Sequence, residues 1–105
     1  MSSEVVLIVE ASFEGRYDKV KELVKGNARI NKRDIDGWNA FHASCANNSV
    51  DIVRLLLKDA LIEINATIGG STGFYLACHG GCKEVVELLL QDERVDINLP
   101  SEDGW

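Results

Sequence analysis

The sequence predicts an all-α fold: a solenoid of stacked antiparallel helix pairs with projecting β-hairpin-like fingers. Three observations predict it. The chain matches itself when slid by 33 residues, and self-similarity at such a period marks repeat architectures. Each matched unit holds two helical segments separated by a short polar break. The second segment is apolar over more than a narrow stripe, so it must be buried between neighbours.

The match is phased over most of the chain. Asn39-Ala40-Phe41-His42-Ala43-Ser44-Cys45 falls on Thr72-Gly73-Phe74-Tyr75-Leu76-Ala77-Cys78. Asp51 to Leu57 falls on Glu84 to Leu90, and Glu63-Ile64-Asn65 on Asp96-Ile97-Asn98. Sliding back pairs Ala11-Ser12 with Ser44-Cys45, and Val20, Leu23 and Val24 with Val53, Leu56 and Leu57. Arg29-Ile30-Asn31 matches one residue out of step, so the first unit's closing loop is shorter.

Each element follows from its residues. Asn39 and Thr72 are suited to N-capping a short first helix. Ala43, Ser44, Ala46 and Ala77 keep that helix slim enough for a close neighbour. Glu14-Gly15, Asn47-Asn48 and Gly80-Gly81 break the chain before the second helix, predicted near Val50–Lys58 and Lys83–Gln91. Gly26-Asn27 is expected to end the first unit's second helix, with glycine in the left-handed region. Asp36-Gly37 and Asp103-Gly104 read as tight turns at the finger tips. The units are placed at 1–33, 34–66 and 67–100, with 101–105 opening a further one.

Composition fits a folded, water-soluble chain. Of 105 residues, 46% are hydrophobic and 27% charged, which separates the chain from disordered classes. The run Val5 to Val9 is too short for a membrane span or a signal-peptide core. Three cysteines, Cys45, Cys78 and Cys82, without an export signal imply reduced thiols and a cytoplasmic or nuclear setting. The net charge of −6 is graded. Residues 1–35 hold seven Lys/Arg and six Asp/Glu, residues 36–70 two and four, and residues 71–105 two and seven. That balance disfavours nucleic acid and anionic membrane and favours a partner with a basic surface.

These segments resemble the ankyrin repeat, a turn-helix-helix unit of the same period. Its Asp-Gly-x-Thr-Pro-Leu-His-x-Ala-Ala opening is similar to Asp36 to Cys45, its Glu-Val-Val-x-Leu-Leu-Leu segment to Glu84 to Leu90, and its Asp-Val-Asn close to Asp96-Ile97-Asn98. The chain departs from the pattern at Ala40 and Gly73, where the family has proline. Tyr75 stands at the tying histidine, and Gly69-Gly70-Ser71 replaces the aspartate-glycine turn. The last is expected to be a relaxed turn, and the joint between the second and third units the loosest. The resemblance also places Cys45 and Cys78 at a small buried position.

The two ends differ. Lys19 and Glu22 stand where later units have Ile52 or Val85 and Leu55 or Leu88, as a polar capping repeat requires. The third unit keeps Val85, Val86, Leu88 and Leu89, and Asp103-Gly104-Trp105 repeats Asp36-Gly37-Trp38. The chain is therefore expected to be the N-terminal part of a longer repeat protein, or to pair through that apolar face with a copy of itself or a partner.

No catalytic, cofactor or metal site is expected. Cys78, His79 and Cys82 lack the further ligands that a zinc site needs, and no nucleophile motif accompanies them. Glu84 and Glu87 read as a solvated helix face. What the resemblance implies is protein binding through a concave surface of fingers and first helices. Carried over unit by unit, that surface is Phe13 and Glu14; Arg33, Ile35, Asp36, Trp38, Ala46 and Asn47; Ile68, Ser71, His79 and Gly80; and Glu102, Asp103 and Trp105. Trp38 is a hot-spot candidate, with packing on the neighbouring finger the alternative. The expected function is a protein-interaction module; the alternative is a targeting or regulatory segment of a larger enzyme.

Overall fold

The computed structural model describes residues 6–26 and 28–98. The expected turns at Asn27 and Asp103-Gly104, and everything assigned to 99–105, lie outside the described residues. Six helices occur in the order α1 (Leu7–Phe13), α2 (Tyr17–Lys25), α3 (Ala40–Ala46), α4 (Val50–Leu57), α5 (Gly73–His79) and α6 (Lys83–Leu90). A two-stranded antiparallel pair, β1 (Thr67–Ile68) and β2 (Ser71–Thr72), precedes α5.

The helices form two layers. α1, α3 and α5 pack in one row and α2, α4 and α6 in a second, each helix also packing on its partner within the pair. One apolar core runs through all three pairs, from Ile8 and Val20 through Phe41, Ile52 and Leu56 to Val85 and Leu89. Burial of this kind stabilises each side chain by roughly 1.5–3 kcal/mol. No helix among the described residues is long and apolar enough to cross a membrane.

Asn39 and Thr72 act as the caps expected of them. Asn39 Oδ1 accepts from His42 N at 2.7 Å, and Thr72 Oγ1 accepts from Tyr75 N at 3.1 Å. His42 Nδ1 in turn accepts from Asn39 N, which closes a reciprocal box. Between the helices of each pair, Gly15, Asn48 and Gly81 all take positive φ, so the three breaks share one left-handed turn.

Four expectations are corrected. Gly26 ends α2 with φ −82° and ψ 14°, not in the left-handed region, because the chain there closes by a bond from Gly26 N to Glu22 O. The Gly69-Gly70 turn is tight rather than relaxed. Positive φ at both residues between β1 and β2 matches the right-handed twist of the strands. Cys78 is half-buried, unlike fully buried Cys45, since the two share a register but not a covering neighbour.

The joint between the second and third units is firmly braced. Asn65 Nδ2 donates to Arg94 O at 2.8 Å, Asn48 donates to Glu84 Oε1 at 3.0 Å, and Arg94 donates to Leu57 O at 2.8 Å. Gly73 adds a steric reason. A Cβ there would lie 2.6 Å from the Phe41 ring, so the missing side chain lets α5 press onto α3.

Candidate protein-binding surface

The expected surface residues gather around the first inter-unit joint. Phe13 ends α1 and lies edge-on against the Trp38 indole, with centroids 5.1 Å apart. Trp38 also meets the His42 ring edge-on at 6.2 Å. It is half-buried and packs on a first helix and a cap histidine. Asn47 Nδ2 donates to Phe13 O at 3.0 Å, which ties the ends of α1 and α3 together. Glu14 is exposed and pairs with Arg16 at 3.3 Å.

The loop from Asp34 to Trp38 is built by one carboxylate. Asp34 Oδ1 accepts from both Asp36 N and Trp38 N at 2.9 Å, while Asp34 N donates to Trp38 O at 2.8 Å. Gly37, at φ +92°, lets the loop close. The closure leaves Ile35 87% exposed, the most exposed large apolar side chain among those described. Asp36 is exposed beside it. Arg33 Nη1 donates to the carbonyls of Gly37 and Thr67 at 2.9 and 2.7 Å, so this loop and the β1–β2 hairpin stand side by side. Ile68 flanks Gly37, where a Cβ would lie 3.7 Å from its side chain.

In the third unit the expected residues are more dispersed. Ser71 is half-buried, as is Ala46 at the end of α3 in the second unit, and Gly80 is exposed at the end of α5. His79 is exposed and stacks on Tyr75, with centroids 5.8 Å apart and rings 15° from parallel. Glu102, Asp103 and Trp105 lie outside the described residues.

The thiols and imidazoles have local roles. Cys82 is buried with its Sγ 3.6 Å from Ala46 O. Burial pushes the Cys45 thiol far above its ordinary range, and neighbouring Cys82 adds to the effect. Partial burial raises Cys78 as well. Both His42 nitrogens are occupied, and because Ala66 O can only accept, Nε2 carries the proton. Burial holds the His42 pKa below the usual imidazole value; the Ala66 bond opposes this and the Arg33 charge adds to it.

Sequence reasoning passed over the closing asparagines. Asn31 donates to Leu61 O at 2.8 Å and accepts from Glu63 N at 2.9 Å. Asn65 does the same one unit later, donating to Arg94 O and accepting from Asp96 N, both at 2.8 Å. Each asparagine thus mimics a strand edge for the next loop. Their recurrence after isoleucine was the available signal. Glu84, read as merely solvated, is exposed but accepts from Asn48, and that bond lowers its pKa.

Two layers of paired helices, stepped by one unit and laced by bonds between successive loops, define a helical-repeat solenoid. An ankyrin-repeat family model of three copies matches residues 7–101, and the chain belongs to that family. It is also similar to protein phosphatase 1 regulatory subunit 27 from Mus musculus and from Homo sapiens, 38% identical to each over 55 residues. The match covers 52% of this chain and only 36% of either relative.

Proposed function

We propose that this chain is a non-catalytic protein-recognition module that grips its partner at the Phe13–Trp38–Ile35 surface. One observation carries the reading: Ile35 is 87% exposed on a loop that Asp34 holds rigid by two hydrogen bonds. A fixed, uncovered apolar side chain costs little ordering entropy on binding. Phe13, 41% exposed and braced by Trp38, extends the patch. The fingers at Asp34–Trp38 and Thr67–Thr72, with Glu14, Arg33, Asp36, Ala46, Asn47, Ile68, Ser71, His79 and Gly80, form the surrounding surface. The three free cysteines support work in the cytoplasm or nucleus. The graded acidity supports a partner with a basic patch, and self-association through the third unit's apolar face is the competing assembly.

A second reading, regulation of an enzyme carried on a longer or separate chain, is favoured by the likeness to a phosphatase regulatory subunit. Framework residues alone can generate identity between repeats, so the surface must decide.

Affinity capture with wild-type protein, Ile35→Asp and Phe13→Asp tests both. A specific partner retained by wild type and lost by both variants, at unchanged melting temperature, supports the module. Purified protein phosphatase 1 tested the same way addresses the second reading. Partners indifferent to both variants would overturn the assigned surface. Trp38→Ala is expected to weaken binding by about 2 kcal/mol but also to lower stability, because its ring packs on Phe13 and His42.

A further inference from the structure

Positive charge gathers locally on a chain that is acidic as a whole. A groove of about 630 Å³ opens between the loop that follows α2 and the loop that follows α4. Val24, Arg29, Lys32 and Arg33 line it from the first unit, and Asp59 and Leu61 from the second. Three cations face one carboxylate there, in a chain whose net charge is −6.

The arrangement is fixed by the fold. Leu61 N donates to Asp59 Oδ1 at 2.8 Å, and Leu61 O accepts from Asn31 Nδ2 at 2.8 Å. With both backbone groups pinned, the Leu61 side chain stays 76% exposed at the groove. The Asp59 carboxylate is engaged by its own turn. Arg33 donates to the carbonyls of Gly37 and Thr67. Arg29 is exposed and makes no side-chain hydrogen bond or ion pair among the described residues. At physiological salt, fields fade over roughly 8 Å, so this end can present positive charge although the far end is acidic.

We propose that this groove takes an acidic peptide segment carrying one bulky apolar side chain. Its carboxylates would meet Arg29 and the neighbouring cations, and its apolar side chain would cover Leu61 against Val24. The site is separate from the Phe13–Trp38–Ile35 surface apart from Arg33, and does not depend on that reading.

The probe is a short fluorescein-labelled peptide with one leucine among glutamates, titrated by anisotropy. The controls replace its glutamates with lysine or its leucine with serine. The acidic leucine peptide should bind, weaken with added salt, and lose about tenfold or more in affinity with Arg29→Glu or Leu61→Ser. Both positions are exposed, and thermal melting confirms that each variant folds. Amide shifts mapped by NMR should centre on Val24, Arg29 and Leu61, and Trp38→Ala should bind the peptide as wild type does. Equal binding of the lysine peptide, affinity unchanged in Arg29→Glu, or shifts centred elsewhere would overturn the proposal. So would Arg29-dependent retention on phosphatidylserine vesicles or single-stranded RNA without any peptide titration, which would assign the groove to another anion.

Discussion

Replacing Gly73 by alanine should destabilise the protein, although the same change in most helices stabilises it. Gly73 is the first residue of α5. Removing a helical glycine ordinarily gains about 0.5–1 kcal/mol, from lower unfolded-state entropy and better helix propensity. Here the new Cβ would lie 2.6 and 2.8 Å from two Phe41 ring carbons and 3.1 Å from Cys45 Sγ. Phe41 is 1% exposed and Cys45 fully buried, so neither can swing aside. Overpacking of this kind costs about 1–3 kcal/mol. The steric term wins, leaving a net loss of about 0.5–2 kcal/mol. For a domain this size each lost kcal/mol lowers the melting temperature by roughly 4–8 °C. Restoring the family's proline at this position should be no better, since its ring also carries a Cβ. Urea unfolding followed by circular dichroism measures the change, with Gly26→Ala as the control. A Cβ at Gly26 meets only carbonyl oxygens at 3.5 and 3.6 Å with φ near −82°, so that change should be neutral or stabilising. Adding Phe41→Leu should recover part of the Gly73→Ala loss relative to the sum of the single changes. If Gly73→Ala matches or exceeds wild type in urea midpoint, the close approach of α5 to α3 is wrong.

Asn39 Nδ2 is buried and has no hydrogen-bond partner among the described residues. Asn39→Thr keeps a capping oxygen, as Thr72 does, and removes the orphan donor, so thermal unfolding should show a gain of about 1 kcal/mol; a loss of that size would contradict it. His42 gives a pH prediction: its folded pKa lies below that of the unfolded chain, so its contribution is in place above roughly pH 6.5 and erodes as pH falls through the lower folded value. Glu84 and Asp92, both held low by hydrogen bonds, lose stability in the same direction at more acid pH. The difference in urea midpoint between wild type and His42→Gln should therefore narrow on acidification, and a constant difference would count against the buried neutral imidazole. Iodoacetamide at mildly alkaline pH should modify half-buried Cys78 first and leave Cys45 untouched until unfolding; early Cys45 adducts by mass spectrometry would refute its burial.

Much of the helical scaffold was legible because its causes are local. Asn39 and Thr72 announce helix starts through their own side chains, and Val50 to Leu57 carries an apolar pattern that only burial can satisfy. What escaped was set by neighbours in space. Gly73 reads as a lost proline, yet its lack of a side chain answers to Phe41 in the preceding unit. Cys45 and Cys78 occupy one register, but burial depends on what stacks above each. The Gly69-Gly70 turn looked loose without its aspartate, whereas two positive-φ residues satisfy a two-residue hairpin without one. The candidate surface was legible as positions along a repeat but not as geometry. Nothing in the sequence distinguishes Trp38, wedged against Phe13, from Ile35, left uncovered on a pinned loop.

The bracing explains why both proposed surfaces sit at the first joint. Stability in such a stack is a sum of unit and nearest-neighbour contributions, so rigidity at any point depends on the joints flanking it. The Ile35 loop is held by Asp34 within its own unit and by Arg33 across to the hairpin; the Leu61 turn is held by Asp59 and across by Asn31. Each therefore has a local and an inter-unit restraint, the combination that keeps an apolar side chain exposed in one geometry. Further along the chain the Arg94 turn repeats both restraints, from Asp92 and from Asn65, but carries an ion-paired arginine where the earlier turn carries Leu61. A cut through the inter-unit restraints, such as Asn31→Ala, should free the Leu61 turn while sparing the Ile35 loop. The two surfaces are thus separable by a single substitution that touches no residue of the Phe13–Trp38–Ile35 surface.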